Sequence, residues 1–187
     1  MADESDTVRD AALRVGQVIV RNYAKSAVNL LLPELEKGLF NDNWRIRQNS
    51  VQLIGDLIFR IAGINKQMES DDVEAEGLGT ELHRTALKNA LGDRYETVMA
   101  SLFIVRADSS GLVRQSAVAV WKAVVANTPR TLKQILPILM NILLSSLASD
   151  SQEKRGVAAR TLGDLVRRLG EVFHIFYIND SHRMLFN

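Results

Sequence analysis

Residues 40–57 read FNDNWRIRQNSVQLIGDL: a polar turn, a Trp-Arg-Ile-Arg opening, then a run whose apolar positions fall at helical spacing. Looser copies stand at 109–124, SSGLVRQSAVAVWKAV, and at 150–165, DSQEKRGVAARTLGDL. With the arginines in register, Arg9, Arg47, Arg114 and Arg155 are separated by steps of 38, 67 and 41. A period near 40 in a helix-rich chain is the signature of stacked helical hairpins of the HEAT or armadillo type. The long middle step then requires an insertion.

The columns that follow each arginine test this register. Three positions on stand Ala12, Ser50, Ala117 and Ala158, all small, as a close helix crossing needs. Ten positions on come Ile19, Leu57, Val124 and Leu165, and one further Val20, Ile58, Val125 and Val166, all aliphatic. Each copy therefore reads as the second helix of a hairpin with one buried face, such as Val113, Ala117, Val120, Trp121 and Val124. Asp6, Asn43, Ser110 and Ser151, or close neighbours, are its expected N-caps.

The first helices are SAVNLLLPELEKGLF at 26–40, DRYETVMASLFIVR at 93–106 and TLKQILPILMNILLSSLA at 131–148, with Pro33 and Pro137 expected to bend two of them. Gly55 and Gly163 recur in the triplet Gly-Asp-Leu and point to tight packing between neighbouring hairpins. The insertion NKQMESDDVEAEGLGT, residues 65–80, holds five carboxylates against Lys66 and reads as an exposed acidic loop. A short helix from Thr80 to Gly92 is expected after it. The expected organisation is all-α: a HEAT-type α-solenoid of about four hairpins over 1–171, then a divergent tail, 172–187, rich in Phe and His.

Composition narrows the function. The 187 residues are 47% apolar and carry 23 basic against 22 acidic side chains, so bulk charge gives no warrant for nucleic-acid binding. The absence of cysteine removes disulfides, thiolate metal sites and thiol catalysis. MADESDTVRD has no apolar stretch of the kind a signal peptide carries, and ILPILMNILLSSLA is too short for a membrane span, so no membrane association is expected. No phosphate loop, H-E-x-x-H or G-x-S-x-G occurs, and His83, His174 and His182 are scattered. No catalytic residue, cofactor, metal site or small-molecule substrate is expected.

Two sets of charged residues remain. Asp42 with Arg47, Asp108 with Arg114 and Asp150 with Arg155 would form a structural ladder along one edge, the Arg of one hairpin meeting the Asp of the next, at under about 1 kcal/mol per exposed pair. Arg45, Arg130, Lys133, Lys154, Arg160, Arg167 and Arg168 are read as a solvated face, with phosphate contact on ribosomal RNA as the sharper alternative. Within that set Arg130, Lys133, Arg167 and Arg168 are the candidates for ribosome contact.

WRIRQNSVQLIGDL, VWKAVVANTPRTLK, ALGDRYETVMASLFIVRAD and KRGVAARTLGDLVRRLGE go beyond generic periodicity. They resemble the general control nonderepressible family of very large HEAT-repeat translational activators of eukaryotes, over about Asp6 to Glu171. The resemblance implies a non-catalytic cytoplasmic scaffold on translating ribosomes that promotes activation of the kinase acting on the alpha subunit of translation initiation factor two. It also implies an ATP-binding-cassette partner. It assigns no partner surface to these residues, and VFHIFYINDSHRMLFN departs from the family pattern, suggesting a truncated product or a fragment. The rival is a transport-receptor-like HEAT module holding cargo in its concave face.

Overall fold

A computed structural model describes residues 5–62 and 81–184, without the side chains of residues 6, 25–27, 81–82 and 171–184. The acidic stretch 65–80 lies outside the described residues, as do the side chains of the aromatic tail. The described residues are helical, with no strand: α1 (Asp6–Leu39), α2 (Trp44–Ala62), α3 (Glu81–Leu91), α4 (Tyr95–Val105), α5 (Gly111–Val124), α6 (Thr128–Leu147) and α7 (Gln152–Met184). Gly92, which ends α3, takes φ +51°, a conformation that costs glycine least.

Helix α4 is the centre. Its sequence YETVMASLFIV is apolar on nearly every side, and Tyr95 and Val98 through Val105 are buried, as expected of a helix surrounded by others. It touches α1, α5, α6 and α7; α2 packs on α1 and α5, and α7 on α6. Thus α1, α4 and α6 follow one another in contact, and α2 and α5 lie beside each other. In α5 the buried set is Val113, Ala117, Val120, Trp121 and Val124, the stripe legible in the sequence. Trp121 stacks at 59° on Phe103 of α4, ring centroids 5.3 Å apart, and its indole N–H donates to Thr128 Oγ1 at 3.1 Å. The indole thus buries its rings without stranding its donor.

The N-terminal region departs from the expected pair of helices divided near Ser26. The backbone is helical from Asp6 to Leu39, 34 residues with Pro33 among them. Yet α1 is not straight. A Cβ on Gly38 would overlap Ser50 Oγ, and one on Gly16 would lie 3.0 Å from Leu53 Cδ1. Straight helix would hold those two glycines roughly 33 Å apart, whereas Ser50 and Leu53 are about one turn apart on α2. The helix therefore bends between its two contact regions, an interval that includes Pro33, which lacks an amide to donate. A hinge within one helix replaces the expected loop.

The two recurrent glycines also part company. A Cβ on Gly55 would fall 2.7 Å from Val120 Cγ2, so its absence lets α2 and α5 approach. Gly163 has no described neighbour within 4 Å of the equivalent point. The small column is buried at Ser50, Ala117 and Ala158, and the aliphatic columns at Val20, Leu57, Ile58, Val124, Val125 and Leu165, whereas Ile19 and Val166 of those columns are exposed. Beyond Gly170 the backbone of α7 stays helical to Met184 and no further hairpin starts within it.

Candidate functional site

One turn is built three times. Asn41 Oδ1 accepts from the amide of Asn43 at 2.9 Å, Asp108 Oδ1 from that of Ser110 at 2.8 Å, and Ser149 Oγ from that of Ser151 at 3.2 Å. Each is a short polar side chain closing a local ring on the backbone two residues ahead. Six residues after each of these acceptors stands the arginine. Nη1 of Arg47 donates to the carbonyls of Asn41 and Asp42 at 2.8 and 2.9 Å. Arg114 does the same to Asp108 and Ser109 at 2.7 and 2.8 Å, and Arg155 to Ser149 and Asp150, both at 2.8 Å. In every copy the guanidinium thus satisfies two carbonyls of the connection that precedes its own helix.

This geometry changes the reading of the acidic residues. In register, Asp108 is the equivalent of Asn41 and Ser149, while Asp42 and Asp150 are equivalent to Ser109. The three aspartates therefore hold no common place, and the arginines spend one nitrogen on carbonyls of their own turn. Only at Arg47 do the described residues show a rung to the next hairpin: Nε and Nη2 donate to the two carboxylate oxygens of Asp108 at 2.8 and 3.0 Å. That pair is not exposed, since the side chains are 7% and 5% accessible. Asp42, 88% exposed, instead meets Lys154 at 3.2 Å. Arg114 and Arg155 are exposed.

Arg47 carries a third link, missed in the sequence: its Nη2 reaches Glu153 Oε1, in the first turn of α7, at 2.6 Å. The Ser109 hydroxyl lies against the same oxygen. Burial acts against the charged guanidinium, but hydrogen bonds and charge from Asp108 and Glu153 outweigh it and hold the Arg47 pKa above its ordinary value. The signal available in sequence was the six-residue spacing from Asn41, Asp108 and Ser149 to the arginines; nothing local pointed to Glu153.

Of the candidate ribosome contacts, Arg167 and Arg168 converge on Asp164, at 3.3 and 2.8 Å. Arg130 and Lys133 lie exposed at the start of α6, one helix away. Arg160 donates Nε to the carbonyl of Ala107, just past the end of α4, and Arg45 stacks on Trp44. Arg106, absent from the sequence reading, lies over the rings of Phe103 and Trp121 at 4.7 and 5.2 Å and meets Asp164 at 3.8 Å. Burial first, and then the charge of Arg168, lower its pKa against the opposing effect of Asp164. Among the described residues, no group of three or more His, Asp or Glu side chains is placed to hold a metal ion, and no helix is long and apolar enough to cross a membrane. An apolar face of α1 is open: Val15, Val18, Ile19, Tyr23 and Leu30 are exposed.

The register, the turns and the buried arginine are features of a repeated architecture, and comparison with known proteins supplies the lineage. Over 173 residues, 91% of this chain, the sequence is 53% identical to the mouse protein named stalled ribosome sensor GCN1. Over 171 residues it is 48% identical to the eIF-2-alpha kinase activator GCN1 of Saccharomyces cerevisiae. It belongs to the GCN1 family. Protein ILITYHIA of Arabidopsis thaliana is 54% identical over 173 residues. The chain spans about 6% of the length of each of these GCN1 relatives, so what is described is one segment's worth of a GCN1 protein. No family model matches the chain, and no solved structure matches it.

Proposed function

We propose that this chain is a section of HEAT-type α-solenoid in a non-catalytic, cytoplasmic, ribosome-associated translational activator, and that it supports activation of the kinase acting on initiation factor two alpha. The observation that carries the proposal is the identity of about half the residues, over nine-tenths of the chain, with proteins named as a stalled ribosome sensor and as an eIF-2-alpha kinase activator. Those names describe sensing and activation, which supports the non-catalytic reading. The solenoid reading draws support from the thrice-repeated turn and from the succession of α1, α4 and α6. Ribosome, kinase and an ATP-binding-cassette protein are the partners this reading carries.

Within it, the section is a spacer whose curvature comes from interhelical packing. Arg167 and Arg168 already bond Asp164, which leaves less free charge for phosphate than the sequence suggested. Co-sedimentation with ribosomes tests the reading. The full-length protein that carries this section is expected to pellet with them, with or without the charge reversals below, and binding of an import-signal peptide in the groove without ribosome association would favour the cargo-binding alternative. Reversing the charges of Arg130, Lys133, Arg167 and Arg168 is expected to leave co-sedimentation unchanged. A salt-dependent loss with helicity intact would instead assign them to ribosomal RNA contact.

A further inference from the structure

Successive hairpins in a stack touch their neighbours, and a contact that skips a unit reports the angle between the two flanking it. Two such contacts occur. The connection between α1 and α2, with the start of α2, supplies an anion at Asp42 and a cation at Arg47. The first turn of α7 supplies a cation at Lys154 and an anion at Glu153, and the pairs close at 3.2 and 2.6 Å. Between them stands the connection from α4 to α5, whose Asp108 and Ser109 touch Arg47 and Glu153. A cavity of about 460 Å³, partly open to solvent, is lined there by Ile104 and Val105 of α4, Leu39 and Phe40 at the end of α1, and Ile142 and Ser146 of α6. Arg47, Glu153 and Lys154 line it as well.

We propose that the Arg47–Glu153 and Asp42–Lys154 pairs are a clasp between the first hairpin, α1 with α2, and the third, α6 with α7, which adds to the curvature that helix packing sets and whose opening widens the cavity and lessens that curvature. Crossed polarity gives the clasp a register, since both pairs are satisfied together in one relative orientation of the two flanks. Reversibility follows from what each partner keeps. When Glu153 leaves, Arg47 retains Asp108 and its two carbonyls, so the buried guanidinium is never stranded. Glu153, Asp42 and Lys154 are 43%, 88% and 41% accessible and return to water at little cost. The packing between neighbouring hairpins, α2 on α5 and α4 on α6, is then the pivot about which the flanks turn, while α1 on α2, α4 on α5 and α6 on α7 hold each hairpin together. The inference rests on the arrangement of the turns and stands apart from the ribosome reading.

The chain has no cysteine, so two introduced thiols can carry spin labels specifically. Lys37→Cys in α1 and Leu144→Cys in α6, both exposed, report on the first and third hairpins by pulsed electron–electron resonance. The combination of Glu153→Gln with Lys154→Gln is expected to lengthen and broaden the distance distribution with helicity unchanged. Lys154→Asp, which sets two carboxylates against each other, should lengthen it further, and adding Asp42→Lys should restore the original distance. An unchanged distance in both broken forms would overturn the clasp. So would the same lengthening in Arg114→Gln, whose contacts stay inside one turn, because that would mean general loosening. The substituted side chains are surface groups, and circular dichroism on each variant keeps a folding defect from passing as opening.

Discussion

The first turn, residues 41–47, and the third, residues 149–155, are the same local object in different surroundings. Each closes a ring on the amide two residues ahead, and each arginine holds the carbonyls six and five residues back. Arg155 does this in the open, whereas Arg47 does it buried, with Asp108 and Glu153 both on its guanidinium. The repeat fixes what an arginine does to its own turn, and the neighbours decide whether that act is exposed or buried. Arg114 shows why the rung is not renewed: the residue in the next turn equivalent to Asp108 is Ser149, which has no charge to offer.

The comparison is broken hardest at Asp108. Asp108→Ala leaves the buried Arg47 charge with Glu153 as its one carboxylate partner beside the two turn carbonyls and removes the acceptor for the Ser110 amide, and a loss of about 3 kcal/mol in urea unfolding is expected. The same substitution at Asp150, an exposed side chain, should stay within about 0.5 kcal/mol. Equal losses at the two aspartates would show that the buried rung has no special weight.

The glycines give a second, smaller contrast of the same kind. At Gly55 an added methyl meets Val120, whose branched side chain is stiff, so Gly55→Ala should destabilise by about 1–3 kcal/mol despite the better helix propensity of alanine. Gly163→Ala meets nothing described and should gain up to about 1 kcal/mol. Thermal unfolding of the pair reads the sign directly. Truncating the arginines alone is gentler on the exposed side: Arg155→Ala loses two hydrogen bonds to carbonyls, about 1 kcal/mol in all given their exposure, and Arg47→Ala should exceed it severalfold.

The smallest effect sharpens the lesson with a pH dependence. Glu36 is the mirror of Arg47, a side chain 13% accessible whose Oε1 has no described hydrogen-bond partner. Burial raises its pKa, and the charge and hydrogen bond of Arg94 only partly offset this. A carboxyl with a raised folded-state pKa favours the native state most below its unfolded value, and that advantage is lost as pH rises through the folded pKa. Glu36→Gln should therefore flatten the fall in stability between acid and neutral pH, measured by urea midpoints at several pH values. A fall of undiminished steepness would place its source elsewhere.

How much of this was legible beforehand depends on the range over which each feature is decided. The buried members of the small and aliphatic columns after Arg47, Arg114 and Arg155 and the buried stripe of α5 follow from spacing along the chain. A repeated sequence makes repeated local geometry, because caps and helix faces are settled within a few residues. The aspartate ladder was matched by charge type and not by register, so Asp42 and Asp108 were read as alike although they stand one position out of step, and the rung seen among the described residues joins Arg47 to Asp108.

What remained was set by parts of the chain far apart in sequence. No local signal says that α1 bends without breaking, that Gly55 meets a neighbour and Gly163 does not, or that Glu153 arrives at Arg47 from 106 residues away. Those outcomes depend on which parts of the chain pack side by side, and here the first and third turns meet across Asp108 and Ser109 of the second. The sequence by itself determined the repeated unit, the buried faces and the family. The tertiary structure alone decided which copy of the arginine is buried, because burial is a property of the neighbours that close over a residue.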